Sequence, residues 1–394
     1  MTIAKHIDVI LSKSSWIRKM FEEGARLKAI HGAGNVYDFS LGNPNLDPPE
    51  AFKTILKTLL DQETPGCHAY MANTGYPEVR KAVADYLCSE QDMSISAAEI
   101  IMTCGAAGGL NVILKALLDP GDEILTPTPH FVEYGFYVGN HGGVLKTVPT
   151  HPDFTLDIAA ISHAITPKTK AVLINSPNNP TGQIYSGESL SALGNLLTEK
   201  GKSYGRTIYL MSDEPYRKVV YDGVTVPSVF ACYPDSIMTT SYSKDISIPG
   251  ERIGFIAVNP AATYKEQLLA AMGLTNRILG FVNAPALMQR VIARMQGVSV
   301  DIAAYARKRE LLCNGLSECG YDFVKPPGTF YLFPRTPIAD DVEFVQALQK
   351  ELILVVPGSG FGGPGHFRIA FCVSDETIIK SLPGFKRVMD SYKS

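Results

Sequence analysis

At 394 residues, 45% hydrophobic and 19% charged, the chain can bury a large core and should divide into two or more lobes. Its formal charge of −3 leaves no basic footprint for nucleic acid and no polybasic patch for a membrane surface. No uninterrupted apolar run reaches the roughly 18 residues a membrane span needs, and the first residues lack a signal-peptide apolar core. Seven cysteines, an odd number without paired metal-ligand spacing, read as reduced thiols of a cytoplasmic protein without a metal site.

In chain order, residues 1 to about 35 form an arm with a helix from Ser14 to about His31. Ile17, Met20, Phe21 and Ala25 recur there at helical spacing, and Gly32 and Gly34 end it. A strand from Tyr37 falls into Gly42-Asn43-Pro44 and the prolines that follow, which forbid helix. Pro49 to Leu60 is helical, and a second helix runs through Leu87 after the segment Tyr70 to Arg80. On its own terms Tyr70 is a ring with a buried body and a hydroxyl at the edge.

Ile100 to Thr103 is a short strand, and Cys104-Gly105-Ala106-Ala107-Gly108-Gly109 turns it into a helix from Leu110 to Leu118. Strand, glycine-rich turn and helix make an anion site, because first-turn N–H groups lack partners and the helix dipole favours negative charge. Tight packing alone would explain the same glycines. The next strand, Glu123 to Leu125, leaves through Pro127-Thr128-Pro129-His130-Phe131; His130 has no metal partner at helical or strand spacing.

Ala171 to Ile174 is a buried strand of parallel type. The loop beyond it, Asn175-Ser176-Pro177-Asn178-Asn179-Pro180-Thr181-Gly182, is stiffened by two prolines where open α/β sheets bind ligands. Strand Thr207 to Met211 delivers Ser212-Asp213-Glu214-Pro215-Tyr216, and an aspartate so placed is costly to ionise without a cation nearby. Asp235 to Thr240 and Ile253 to Val258 are two more buried strands. The loop between them carries Ser241, Lys244 and Arg252, although a bare Ser-x-x-Lys is also common in solvated loops.

Beyond it come a helix from Tyr264 to Met272, a loop holding Arg277, and a long helix from Ala284 to Arg307 or beyond. Strands are then expected at Gly320 to Phe323, 326–333, Ile353 to Val356 and His366 to Phe371, with a helix around Val342 to Glu351. Arg368, mid-strand among apolar residues, keeps its charge and must find an anion. Strands separated by helical crossovers indicate an α/β fold, a mostly parallel sheet flanked by helices.

The run Ser241-Tyr242-Ser243-Lys244, continued by Pro249-Gly250-Glu251-Arg252-Ile253-Gly254-Phe255, resembles the Schiff-base segment of class I aminotransferases. These are pyridoxal 5′-phosphate enzymes of the aspartate aminotransferase fold type. The Asn175 to Gly182 loop and the Tyr70 to Arg80 segment match further family motifs in order, so the resemblance covers nearly the whole chain. It implies a large cofactor-binding domain at 48–290, an arm with part of a small α/β domain at 1–47, and the rest of that domain at 291–394.

The resemblance also assigns roles. Lys244 would hold the cofactor and carry the proton. Ser241, Arg252, Gly105, Ala106 and Ala107 would hold its phosphate, joined by Tyr70 from the other subunit of a homodimer. Phe131 would stack on the ring, Asp213 pair with the ring nitrogen, and Asn179 and Tyr216 bond the phenolic oxygen. Arg368 would grip the substrate's α-carboxylate, beside the backbone of Gly42. The family usually has Gly-Glu-Pro where this chain has Gly42-Asn43-Pro44.

In one subgroup a lysine past the phosphate turn binds a side-chain carboxylate, and Ala107 stands in that place. In another, an arginine near the interval of Arg277 reaches across the dimer to the distal carboxylate. The resulting expectation is an aminotransferase moving an amino group from aspartate to 2-oxoglutarate with ping-pong kinetics. A neutral or aromatic amino donor and a carbon–sulfur lyase activity are the alternatives. A ligand-binding regulator would need a DNA-binding appendage for which the arm leaves no room, and the presence of Lys244 and Asp213 speaks against an inactive homologue.

Overall fold

The computed structural model describes residues 3–5, 7–8, 16–91 and 93–393. The expected helix start at Ser14 and the side chains of Ile17 and Phe21 lie outside the described residues. Helix Trp16–His31 buries Met20 and Leu27, while Ala25 is exposed.

After β1 (Tyr37–Asp38) come the strands of the central sheet. They are β2 (Ile100–Thr103), β3 (Glu123–Thr128), β4 (Val144–Pro149), β5 (Thr169–Asn175), β6 (Tyr209–Asp213), β7 (Ser236–Ser241) and β8 (Gly254–Val258). Their order is β2-β8-β7-β6-β5-β3-β4, parallel except for β8, which runs antiparallel to both its neighbours. Chain order reverses direction between β3 and β5, the kind of switch point where such sheets open a crevice. β4 escapes the sequence reading because it is an edge strand whose side chains are mostly exposed, so no apolar run marks it.

Alternate residues of the buried strands enter opposite cores. Ile100, Met102, Val172, Ile174, Leu210 and Met238 pack on one face, with the helices Pro77–Gln91, Gly187–Tyr204 and Ala286–Ala293. Ile101, Ala171, Leu173, Met211 and Ile237 pack on the other, with Gly105–Leu117, Tyr134–Asn140 and Lys265–Ile278. Both faces are covered, which is why these strands read as unbroken apolar runs.

The carboxyl-terminal part holds β9 (Tyr331–Leu332), β10 (Ile353–Leu354), β11 (Val356–Pro357) and β12 (Phe367–Ala370). β10 pairs in parallel with β1, while β11, β12 and β9 form an antiparallel sheet. The single strand expected from Ile353 to Val356 therefore divides between two sheets. Residues 320–323 form no strand, and the segment 326–333 contributes only β9 and an isolated bridge at Gly328. The core here joins Phe330, Phe344, Phe367 and Phe385 to Phe39, Tyr216 and Tyr221 from earlier in the chain. We propose lobe boundaries at 48–290 for the large domain, with 1–47 and 291–394 forming the small one; Val291, Ile292 and Met295 still pack against the central sheet.

Three helices differ from expectation. The helix expected from Leu110 begins at Gly105, so the glycine-rich turn is its first turn. A side chain at Gly109 would collide with Thr239 of β7, which explains a small residue there. The long helix expected from Ala284 is two, Ala286–Ala293 and Ile302–Cys319. Gly297 turns the chain between them with φ of 79°, and Val300 N donates to the Asp245 carbonyl at 2.7 Å. The helix expected to end at Met272 continues to Ile278 and carries Arg277 in its last turn.

Candidate active site

β5, β6, β7 and β2 end, and β8 begins, at one edge of the central sheet. The register sets Asn175 opposite Asp213, Asp213 opposite Thr239, and Gly254 between Ser241 and Thr103. Asn175, Asp213 and Ser241 each continue the odd-numbered face that packs against Gly105–Leu117. A cavity of about 280 Å³ opens there. The backbone alternation alone therefore turns these polar groups into it.

Lys244 is half-buried on the loop after β7, and its Nζ donates to the Gly42 carbonyl at 2.9 Å. The rings of Tyr216 and Phe330 lie 5.9 and 5.6 Å from the amine. Burial pushes the amine down to about 8, and the positive charges of Arg368 and Arg252 act in the same direction. A neutral amine is therefore accessible near physiological pH, which an ordinary surface lysine does not offer.

Asp213 is buried at the end of β6. The Tyr134 hydroxyl donates to its Oδ2 at 2.7 Å, while Oδ1 is buried without a protein partner among the described residues. Burial pushes this carboxyl up to about 7, opposed by the Tyr134 bond and aided by the Glu214 charge. Asn175 Nδ2 fixes the Asp213 carbonyl at 2.7 Å, and Asn175 Oδ1 accepts from the Asn179 N–H at 2.6 Å. One buried asparagine thus ties the aspartate strand to the Asn179 loop.

Arg368 of β12 is buried, with 2% of its surface exposed, and no carboxylate pairs with it among the described residues. Its Nη1 donates to Asn179 Oδ1 at 3.1 Å and its Nη2 to the Ser40 carbonyl at 2.7 Å. The guanidinium is sandwiched 4.6 Å from the Tyr331 ring and 4.7 Å from the Phe361 ring. Its Nε has no partner among the described residues. A buried, oriented guanidinium without a protein anion is a receptor for a carboxylate.

At the glycine-rich turn, Gly105 has φ of 73°, and a Cβ there would lie 2.9 Å from Arg252 Nη2. Arg252 is exposed, lines the cavity, and donates from Nη1 to the Pro249 carbonyl at 2.9 Å. Ala106, Ala107, Ser241 and Gly42 also line the cavity. So does Phe131, held edge-on to Tyr134 with ring centroids 5.6 Å apart. Tyr216 completes this wall, its hydroxyl 3.0 Å from that of Tyr331. A side chain at Gly42 would strike the Tyr331 ring.

Two expected residues stay outside. Tyr70 is 87% exposed, and Arg277 is exposed with no ion pair among the described residues. Their segments are nevertheless tied together: Asn276 Nδ2 donates to the Asn73 carbonyl and Asn73 Nδ2 to the Val282 carbonyl, both at 2.7 Å. The sequence reading missed Tyr134, Asn175, Tyr331 and Ser243 as parts of the site. Tyr134 sits three residues past Phe131 and Asn175 opens a motif already singled out, so both carried a signal; Tyr331, in an apolar run, carried none. Elsewhere, ligand atoms of Glu63, Cys67 and His68 lie within 4.8 Å of one another, with His68 Nε2 already 2.7 Å from Glu63.

Residues 34–382 match the family described as aminotransferase class I and II. An aspartate/prephenate aminotransferase of Thermus thermophilus is 34% identical, over 88% of this chain and 89% of that protein. An aromatic-amino-acid aminotransferase of Thermococcus litoralis is 30% identical over 100% of both. Among solved structures, an amino transferase from Eubacterium rectale superposes with a TM-score of 0.97 at 39% identity, covering 100% of both chains.

Proposed function

The chain belongs to the aminotransferase class I and II family and is a pyridoxal 5′-phosphate-dependent transaminase, and we propose that its amino donor is aspartate and its acceptor 2-oxoglutarate. The observation that carries the catalytic reading is the convergence of Lys244, Asp213 and Arg368 on one cavity from three distant stretches of chain.

The donor set fits the cofactor. Asp213 Oδ1 is a buried acceptor with no partner among the described residues, suited to a protonated ring nitrogen. The Gly105 turn, where a Cβ would strike Arg252, is a cradle for a phosphate together with Ser241, Ala106 and Ala107. Phe131 is the stacking ring, and Asn179 and Tyr216 are the donors for the phenolic oxygen. When bound, pyridoxal 5′-phosphate supplies an electron sink for charge developed at the substrate Cα.

The chain's own residues do the rest. Arg368 binds the α-carboxylate through its unpartnered edge and fixes which Cα bond faces Lys244. Gly42 lets the arm loop approach that carboxylate, because any larger residue would strike Tyr331. Lys244 Nζ, held near neutrality by burial, takes the Cα proton. The first keto acid leaves before the second enters, so ping-pong kinetics follow.

We place the site at the boundary of a homodimer. Tyr70 and Arg277 support this, since both are exposed on segments tied to one another and neither reaches the cavity of its own chain. Tyr70 would complete the phosphate cup of the neighbouring subunit and Arg277 would read the distal carboxylate there. A cytoplasmic location belongs to the same reading, supported by seven free thiols.

The cations lining the cavity are Lys244, Arg252 and Arg368, with Ala107 past the phosphate turn, which favours a neutral or aromatic donor as the second reading. A panel of amino acids assayed with 2-oxoglutarate tests both. Pyruvate and ammonia released from cystathionine without an acceptor would instead indicate a carbon–sulfur lyase.

A further inference from the structure

We infer that Tyr134 is a positioning residue that turns Asp213 so that its Oδ1 faces the ring nitrogen of the cofactor. The inference rests on the assignment of Asp213 to that nitrogen and concerns how the carboxyl is held there.

Tyr134 is 1% exposed, at the start of the helix Tyr134–Asn140. Its ring is confined by Phe131, edge-on at 5.6 Å, and by His130, stacked at 6.3 Å. Among the described residues its hydroxyl has one partner, Asp213 Oδ2, at 2.7 Å. With no other acceptor in reach, the hydroxyl donates. Burial and the neighbouring Asp213 charge push its own ionisation well above the ordinary tyrosine range, so it remains a donor.

Donation to Oδ2 breaks the symmetry of the carboxyl. Oδ2 spends its inward lone pair on Tyr134, and Oδ1 is left as the buried acceptor without a protein partner. Asn175 fixes the backbone carbonyl of the same residue at 2.7 Å, so rotation about the side-chain bonds is what Tyr134 governs. The bond also favours the ionised carboxyl against the burial that opposes it. The orientation is set in advance: the carboxyl is aimed at the cavity before any ligand arrives.

The test is reconstitution of the full-length, cofactor-stripped protein with pyridoxal 5′-phosphate and with its 1-deaza analogue, which has carbon in place of the ring nitrogen. Asp213→Ala should abolish the preference for the nitrogen-bearing ring. Tyr134→Phe should reduce that preference roughly 10- to 100-fold, the range for a hydrogen bond to a charged group, and leave affinity for the analogue unchanged. Tyr134→4-aminophenylalanine, which keeps the ring volume and a donor, should retain it. Equal losses for both ligands in Tyr134→Phe, or loss of preference in the 4-aminophenylalanine variant, would reduce Tyr134 to a packing role and overturn the inference. If Asp213→Ala keeps the preference, the assignment of Asp213 itself falls, and the inference with it.

Discussion

Lys244 Nζ and the Gly42 carbonyl meet at 2.9 Å across 202 residues of sequence. That bond joins the loop after β7 to the amino-terminal arm, and Ser40, two residues earlier in the arm, accepts from Arg368 at 2.7 Å. The arm thus holds the amine and the guanidinium in one frame. A change in the arm loop is felt at both groups at once.

Lys244→Ala should abolish steady-state transamination while the folded protein still holds cofactor non-covalently; a lysine still linked to cofactor by borohydride would mean another residue does the work. In the parent, attack on the cofactor needs the neutral amine. Because burial lowers Lys244 to about 8, the loading rate should rise through that pH and level off above it. A rise centred instead near the ordinary 10.5 would show that the site does not lower the amine.

Asp213 should make the cofactor-free protein less stable as pH rises. Its carboxyl is raised from 3.8 to about 7, so between those values the folded chain binds the proton that the unfolded chain releases. Stability contributed by this group is present at low pH and lost as pH climbs toward 7. Asp213→Asn has no such proton. Urea melts of both proteins at pH 4, 6 and 8 should show the variant gaining on the parent by roughly 2–4 kcal/mol. A pH-independent difference would contradict the burial that raises this carboxyl.

Arg368→Ala should lower kcat/KM for every amino donor by about 30-fold to several thousand-fold, because removing a charged partner from a desolvated site costs roughly 2–5 kcal/mol. Cofactor affinity should change less, since among the groups proposed to hold the cofactor the guanidinium hydrogen-bonds only Asn179. Titration of the variant with cofactor separates the two effects.

Arg277→Ala should discriminate between donors. If Arg277 reads a distal carboxylate across the dimer, activity on aspartate falls by the same order while activity on alanine is spared. Equal losses on both, or none on aspartate, leave Arg277 as a solvated helix-end arginine and move the assignment to a neutral donor.

Mixing two inactive chains should restore part of the activity. Tyr70→Phe, Arg277→Ala carries an intact Lys244 and Arg368, and Lys244→Ala an intact Tyr70 and Arg277, so a hybrid dimer holds one complete site. Light scattering on the parent should give twice the 42.8 kDa chain mass. A fully active monomer would rule the shared site out.

The local chemistry of the chain was enough to find most of the cavity wall. Prolines around Asn179, glycines before the helix Gly105–Leu117 and apolar runs on either side of Lys244 are statements about dihedral freedom and period, which neighbouring residues decide among themselves. The resemblance carried by those motifs gave the cofactor and the roles expected of Lys244, Asp213 and Arg368. What the chain could not reveal locally depends on strand order and register. Tyr134 meets Asp213 across 79 residues and Tyr216 meets Tyr331 across 115, distances bridged only once β3 and β6 flank β5 and Val220, beyond β6, bridges to Gly328. The expected helix from Ala284 stops at Ala293, and beyond the Gly297 turn Val300 bonds the Asp245 carbonyl, a contact no local propensity encodes. Tyr70 and Arg277, for which the resemblance implies roles at the cavity, stand exposed outside it on the surface of the single chain.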